Sequence, residues 1–251
     1  MTRDEVLAQY RPIRAGIQRV LRLATAACRR ADLSRAVKQV APWAEPEDLE
    51  DAEAGIMLAD VALFEPNQRG RRAFDRFLEN RSGQLDDIDR ALAECMAGAW
   101  FSLLRLAGRH EAAGLWLEDL LADNRRLWLM DEALEASASK ETTFGMRLFD
   151  AGSFHAGFGI IVEPDEETID FCLQAKARGQ PLPFRHSLAA TLYGDQLRAA
   201  AAPGPADLAL LTTLLENLAA VPDAPGAPRR RPARPHRQPQ SRKSRKSPGS
   251  A

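Results

Sequence analysis

The 251-residue sequence has few cysteines, and they are too widely spaced to act together. Cys28, Cys95 and Cys172 are an odd number and lie 67 and 77 residues apart. This arrangement fits neither a disulfide framework nor a metal site built from paired thiolates. We therefore predict that all three are small core residues on helices.

A long hydrophobic run is also lacking. A membrane span needs roughly 18 uncharged apolar residues, and the most apolar N-terminal stretch, Ile17 to Cys28, contains Arg19 and Arg22. The first residues, MTRDEVLAQYRPIR, contain acids and a proline where a signal peptide needs an uninterrupted apolar segment. We expect no interaction with membranes and a cytosolic location.

Recognisable catalytic motifs are missing as well. The sequence contains no G-x-x-x-x-G-K-[ST] phosphate loop, no G-x-S-x-G elbow and no H-E-x-x-H pair. Its four histidines are too far apart to form a metal site, so we predict no metal and no cofactor. An enzyme remains an alternative, with His155 or His186 and neighbouring acids in a site between a sheet and the C-terminal helices.

The net charge of −1 hides a strong division along the chain. Residues 1–38 carry nine basic and three acidic side chains, and residues 224–251 carry nine basic side chains and no acid. Residues 39–223 therefore carry a net charge of −16. The pattern indicates an acidic body with a basic first segment and a basic tail.

The tail is the strongest positive feature of the sequence. It contains no Leu, Ile, Val, Met, Phe, Trp or Tyr, so nothing offsets the entropy of ordering it, and we expect disorder. Its cations could release counterions from nucleic acid in a sequence-independent, salt-sensitive manner. Docking on the acidic body, contact with an acidic partner, and a tail of little consequence are the alternatives. The candidate polyanion-binding residues are Arg229, Arg230, Arg231, Arg234, Arg237, Arg242, Lys243, Arg245 and Lys246.

A weaker candidate anion site is the turn NQRGRR at the start of a predicted helix. Backbone amides and the guanidinium groups of Arg69, Arg71 and Arg72 could converge there on an anion. The favoured alternative is that these arginines pair with the acidic segment that precedes them.

Hydrophobic periodicity predicts helices before and after a central sheet. The first helix runs from Leu7, and Pro12 either kinks it or begins its main body. Further helices are predicted over residues 33–40, 46–65, 71–81 and 85–103, the last being the clearest. After the sheet, a helix begins at the cap Asp165 and ends at Gly179. Two more are predicted over residues 186–200 and 205–220.

The central segment changes to short apolar runs separated by turns. LWLEDLL, ADNRR and LWLM read as a hairpin, and TFGMRLF and FHAGFGIIV follow as two more strands. We place Gly145, Gly157 and Gly159 at bends or bulges. The fold class is thus α+β: N-terminal helices (1–110), a small antiparallel sheet or partly closed barrel (111–163), C-terminal helices (164–221) and a disordered basic tail (222–251).

The segment from Arg72 to Val162 resembles a helix-plus-small-sheet module of uncharacterised bacterial proteins. The matching features are a phenylalanine-leucine helix, a long helix ending in a strand, an Asp-Leu-Leu segment and a glycine-bounded final strand. The resemblance implies a bacterial cytosolic protein without an established activity, and it transfers no catalytic residue. The matching residues are Phe74–Leu78, Leu85–Leu106, Asp119-Leu120-Leu121 and Phe154–Val162.

Together these features favour an interaction or adaptor protein without catalysis. Its basic tail would bind nucleic acid or an acidic protein partner weakly. Besides the enzyme described above, the remaining alternative is a structural protein that self-associates through the sheet edge or the first helix.

Overall fold

The computed structural model describes residues 1–44, 49, 51–137, 139, 142–182 and 184–201. Residues 1–202 form one compact unit. Its helices are α1 (Arg3–Ala26), α2 (Arg30–Val40), α3 (Ala52–Phe64), α4 (Ala73–Arg81), α5 (Asp87–Ala97), α6 (Glu132–Ser137), α7 (Glu166–Ala177) and α8 (Leu188–Ala201). Its strands are β1 (Trp100–Arg109), β2 (Leu115–Asp119), β3 (Arg125–Leu129), β4 (Thr143–Asp150) and β5 (His155–Val162).

The five strands close into a barrel in the order β1-β2-β3-β5-β4. Four of the strand pairs are antiparallel, and a short parallel contact between β3 and β5 completes the closure. The predicted α+β class is therefore confirmed, and so is the barrel, which is closed rather than partly closed.

The predicted hairpin of β2 and β3 is confirmed. Asp123 and Asn124 have φ angles of 56° and 55°, and the Arg125 amide donates to the Ala122 carbonyl at 3.0 Å. The Ala122 amide also donates to the Asp119 carbonyl at 3.1 Å, so two consecutive turns make up the connection between the last strand pair, Asp119 and Arg125. In the observed register, Trp116 lies directly opposite Trp128.

The barrel interior is filled by leucines together with Phe144 and Met146. Outside the barrel, α2, α3 and α8 share one core with residues of β1 and β5. A second core joins α1, α4 and α5 to Phe149 of β4 and Phe158 of β5. The helices therefore pack mainly against β1, β4 and β5.

A buried ion network ties three elements together beneath these helices. Arg147 of β4 donates from Nε to both carboxylate oxygens of Asp60 in α3 at 2.9 and 3.0 Å, and from Nη2 to Glu65 at 2.6 Å. Tyr193 of α8 donates to Asp60 at 3.1 Å. Burial raises the pKa of Asp60, although the neighbouring Arg147 opposes that shift.

The helix predicted over residues 85–103 is wrong from residue 98 onward. Helix α5 ends at Ala97 and strand β1 begins at Trp100, inside the range that we predicted to be helical. The reason is that β1 is buried on both faces, since Leu103 packs against helices while Leu104 fills the barrel. Such a strand shows no alternation of apolar and polar residues.

Three smaller predictions also need correction. Helix α1 begins at Arg3, where Thr2 and Glu5 form a capping box, so Pro12 lies inside the helix and does not begin it. Cys95 is exposed, whereas Cys172 is a core residue as predicted. Gly145 pairs regularly with both neighbouring strands, so it is not at a bend.

The other helix ends follow the prediction closely. Asp165 caps α7 by accepting the Thr168 amide hydrogen at 2.7 Å, and Gly179 lies just beyond the last turn. The exception is α3, which begins at Ala52 after the extended N-cap Asp51, later than the start predicted at Pro46. Residues 45–48 and 50 lie outside the described residues. The predicted helix over 205–220 and the basic tail lie outside them as well. No helix among the described residues is long and apolar enough to cross a membrane.

Candidate functional site

The outward face of β2 and β3 carries two tryptophans side by side. Trp116 and Trp128 are directly opposite each other in the antiparallel ladder, and both are half-buried. A cross-strand aromatic pair of this kind stabilises the hairpin. It also leaves ring surface on the outside of the barrel.

Two further side chains extend this pair into a stack. The His110 ring lies parallel to Trp128, with 3.8 Å between the centroids and 6° between the planes, and 4.6 Å from the Trp116 ring. The Arg126 guanidinium lies 4.3 Å from the Trp116 centroid. We call the set Arg126, Trp116, His110 and Trp128 the aromatic patch.

Hydrogen bonds with the loop between β1 and β2 hold the aromatic patch in place. Trp128 Nε1 donates to the Ala113 carbonyl at 2.7 Å, and Trp116 Nε1 donates to the Glu111 carboxylate at 3.3 Å. His110 Nδ1 accepts the Ala112 amide hydrogen at 3.0 Å. The rings are therefore positioned in advance of any binding event.

A second tryptophan–arginine pair lies at the other end of the hairpin. The Arg125 guanidinium lies 5.0 Å from the Trp100 centroid, and Trp100 Nε1 donates to Asp119 at 3.2 Å. Asp119 also accepts hydrogen bonds from Ser102 and from the Leu121 amide. These groups line a shallow cavity of about 370 Å³. The buried Asp119 thus anchors the ring on which Arg125 stacks.

The charges around the aromatic patch are mainly positive. Arg105, Arg109, Arg125 and Arg126 are all exposed on β1 and β3. Glu118 is held by Arg105 at 2.6 Å. The exposed acid of the loop is Glu111, whose pKa is lowered by hydrogen bonds from its own backbone and from Trp116.

The predicted anion site at Arg69, Arg71 and Arg72 is partly occupied by carboxylates. Arg71 pairs with Glu79 at 3.1 Å and Arg72 with Asp75 at 2.6 Å, both on α4, while Arg69 is exposed. Most of the acidic segment proposed as their alternative partner lies outside the described residues. The nine cations predicted to bind polyanions lie outside them too.

The two histidines of the enzyme alternative lie in separate surroundings. His155 meets the Trp100 ring edge-on and contacts the Trp128 carbonyl at 3.3 Å. His186 lines a cavity together with Arg35 and Lys38. Burial lowers the pKa of both imidazoles. Within the described ranges, neither histidine forms a salt bridge with a carboxylate.

The aromatic patch was not predicted from the sequence. The signal was available in the repeated Leu-Trp-Leu of the two hairpin strands, because alternation places both tryptophans on the outside. No local pattern in the sequence predicts that His110 joins the aromatic patch, because its position depends on the fold of the loop after β1.

These features define a class of protein: an α+β protein built on a small closed barrel that presents aromatic rings and guanidinium groups on one face. The chain belongs to DUF7986, a family of unknown function, whose family model matches residues 4–176. The match confirms the predicted resemblance and extends it from α1 almost to the end of α7. No curated protein and no solved structure matches the chain.

Proposed function

We propose that the protein binds single-stranded nucleic acid on the outward face of β2 and β3. The observation that carries this proposal is the aromatic patch, in which Arg126, Trp116, His110 and Trp128 follow one another at stacking distances. Unpaired bases stack on aromatic rings and guanidinium planes whatever their sequence. The exposed side chains of Arg109 and Arg126 would contact the phosphates, whereas Arg105 and Arg125 pair with Glu118 and Asp119.

The architecture of the barrel also supports binding on the outward face of β2 and β3. Its strand order, its parallel contact between β3 and β5 and its helix between β3 and β4 are shared with the oligonucleotide- and oligosaccharide-binding barrels. Those barrels bind ligands on the face of their second and third strands. Fold similarity alone does not define function, so the proposal depends on the residues of the aromatic patch.

The basic tail has a supporting role in this proposal. Its nine cations would add sequence-independent attraction to a polyanion, while the aromatic patch supplies the stacking that the tail lacks. The protein would then act as a cytosolic binding or adaptor protein. Fractionation of cells that produce the native protein tests the location.

Replacing Trp116 by alanine is expected to weaken binding to single-stranded DNA about five- to a hundredfold. The reason is that one base–aromatic stack contributes about 1–3 kcal/mol. The measurement is fluorescence anisotropy with a labelled oligothymidine of about 16 nucleotides, the upper site size for one small barrel. Trp116→Phe keeps a ring and should retain most of the affinity.

Arg198→Gln is the matched control, because Arg198 also lies over a tryptophan, at 5.7 Å from the Trp43 centroid, but on α8. Arg126→Gln should reduce the slope of log affinity against log salt by about 0.7, and Arg198→Gln should leave it unchanged. Equal binding by the wild type and Trp116→Ala would contradict the proposal, as would equal effects of the two arginine substitutions.

Deleting residues 224–251 is expected to remove most of the retention on heparin at low salt and to leave the thermal unfolding midpoint unchanged. The deletion removes nine cations and no acid. The affinity for oligothymidine should fall but still depend on Trp116. If the full-length and shortened chains elute from heparin at the same salt concentration, the tail has no role in polyanion binding.

A further inference from the structure

A second concave site lies between α1, α3 and β5, and none of its lining residues belongs to the aromatic patch. It has a volume of about 600 Å³, within the range of about 300–1,000 Å³ typical of small-molecule pockets. Most of its wall is apolar. The apolar side chains that line it are Leu21, Ile56, Ala59, Leu63, Phe158 and Ile160.

Two arginines of α1, Arg14 and Arg22, also line this pocket. Arg14 Nη1 donates to the Gly157 carbonyl at 3.3 Å, and a Cβ atom at Gly159 would lie 2.5 Å from Arg14 Nη2. The lack of a side chain at Gly159 therefore lets the guanidinium lie against the backbone of β5.

Other arginines of α1 already have acidic partners. Arg3, Arg11 and Arg19 pair with Glu135, Glu132 and Asp89 at 2.6–3.0 Å. In the part of the chain that the structure describes, no carboxylate lies within salt-bridge distance of Arg14 or Arg22. The pocket wall thus carries positive charge that the described protein groups do not neutralise.

The carboxylate that lines the pocket does not neutralise this positive charge. Asp60 contributes to the lining, but its carboxylate oxygens accept hydrogen bonds from Arg147 and Tyr193. The pocket therefore combines an apolar wall with two available cations. This combination suits a ligand that has an apolar body and one anionic group.

Gly55 supplies an independent indication that the space is kept open. It lies within α3, where glycine is less favourable than alanine, and a Cβ atom added there would meet nothing within 4 Å. Packing therefore does not require glycine at this position. A large side chain at Gly55 would instead occupy the pocket that this residue lines.

We infer that the pocket between α1, α3 and β5 binds an amphipathic anion, an aliphatic chain with a single carboxylate, with the carboxylate on Arg14 and with Arg22 adding positive charge to the same pocket wall. The apolar chain lies against Ile56 and Phe158. This site is separate from the proposed nucleic-acid surface, and the experiment below tests it independently of that proposal.

The test is isothermal titration of the full-length chain with dodecanoate below its micelle concentration, and with dodecanol as the neutral analogue. The wild type should bind one dodecanoate per chain. The double variant Arg14→Gln/Arg22→Gln should bind dodecanoate about tenfold more weakly, because charge-assisted hydrogen bonds are lost. Its affinity for dodecanol should be unchanged.

Gly55→Phe and Gly55→Ala form a matched pair for the apolar part of the site. We expect the phenylalanine variant to lose at least about tenfold in affinity for both probes through occlusion of the pocket, and the alanine variant to bind as the wild type does. The absence of saturable dodecanoate binding by the wild type would overturn the inference. So would unchanged binding by Gly55→Phe, or equal losses for both probes in the double arginine variant.

Discussion

Replacing Arg147 by methionine is expected to destabilise the fold by about 3–5 kcal/mol at neutral pH, because removing one member of a buried ion pair leaves the other charge uncompensated. The side chains of Arg147 and Asp60 are only 4% and 2% exposed. The methionine would keep most of the packing between Phe64 and Phe101, over whose rings the guanidinium lies. The measurement is urea unfolding followed by far-ultraviolet circular dichroism.

The loss caused by Arg147→Met should shrink as the pH falls. The pKa of Asp60 is already raised in the wild type by burial, and the variant lacks the arginine that opposes the shift. A carboxyl group whose folded-state pKa is raised binds more protons in the folded state than in the unfolded state. The unpaired Asp60 therefore destabilises the folded variant least at acid pH. The variant should recover part of its stability as the pH falls from neutral toward the pKa of an aspartate in an unfolded chain, about 3.9.

Two comparisons separate the buried charge from other effects of the substitution. Adding Asp60→Asn to Arg147→Met removes the more deeply buried of the two carboxylates that pair with Arg147, and it should restore more than half of the lost stability. Arg71→Met removes an arginine from an exposed pair with Glu79, and it should cost less than about 1 kcal/mol. If the double variant is as unstable as Arg147→Met, the unpaired Asp60 is not the cause of the loss.

The ion network also shows where prediction from the sequence ends. Arg147 lies in TFGMRLF, which was correctly predicted as a strand because it is a short apolar run bounded by turn residues. Its partners Asp60 and Tyr193 could not be predicted in this way, because no local pattern brings α3, β4 and α8 together.

 Along the chain, Asp60 lies 87 residues before Arg147 and 133 residues before Tyr193. Only the tertiary fold brings the three side chains into contact.

The same limit applies to the candidate site. Alternation within LWLED and RRLWL is enough to place Trp116 and Trp128 on the outside of their strands, and the antiparallel pairing of the strands sets the two residues opposite each other. The position of His110 could not be predicted in this way, because its ring reaches Trp128 through the irregular loop that follows β1. A bulge at Leu106–Gly108 adds to that irregularity.

Helix ends and the hairpin were predictable because their signals are local. Asp165 caps α7 through a hydrogen bond to a residue three positions later, and the hairpin turn involves only neighbouring residues. The end of α5 was missed because both faces of β1 are buried by elements distant in sequence. Local signals are therefore readable from the sequence, whereas the start of β1 has no alternation that would separate it from the helix that it follows.

Replacing Gly114 by alanine is expected to destabilise the fold by about 2–5 kcal/mol and to weaken oligothymidine binding as well. Gly114 has a φ of 80°, which costs about 1–2 kcal/mol for a residue with a Cβ atom. The added Cβ atom would also lie 2.3 Å from the Leu129 carbonyl oxygen, and relieving such overpacking typically costs about 1–3 kcal/mol more.

The binding defect follows from the place of Gly114 in the loop that holds the aromatic patch. Its carbonyl accepts the His110 amide hydrogen at 2.9 Å, so a shift of Gly114 away from β3 moves the His110 ring relative to Trp128. Gly152→Ala is the matched control, because Gly152 has a φ of 98° but an added Cβ atom there would meet nothing within 4 Å. That variant should lose only about 1–2 kcal/mol and bind oligothymidine normally. Equal losses of stability in the two variants, measured by urea unfolding, would mean that the contact with the Leu129 carbonyl is not what requires glycine at position 114.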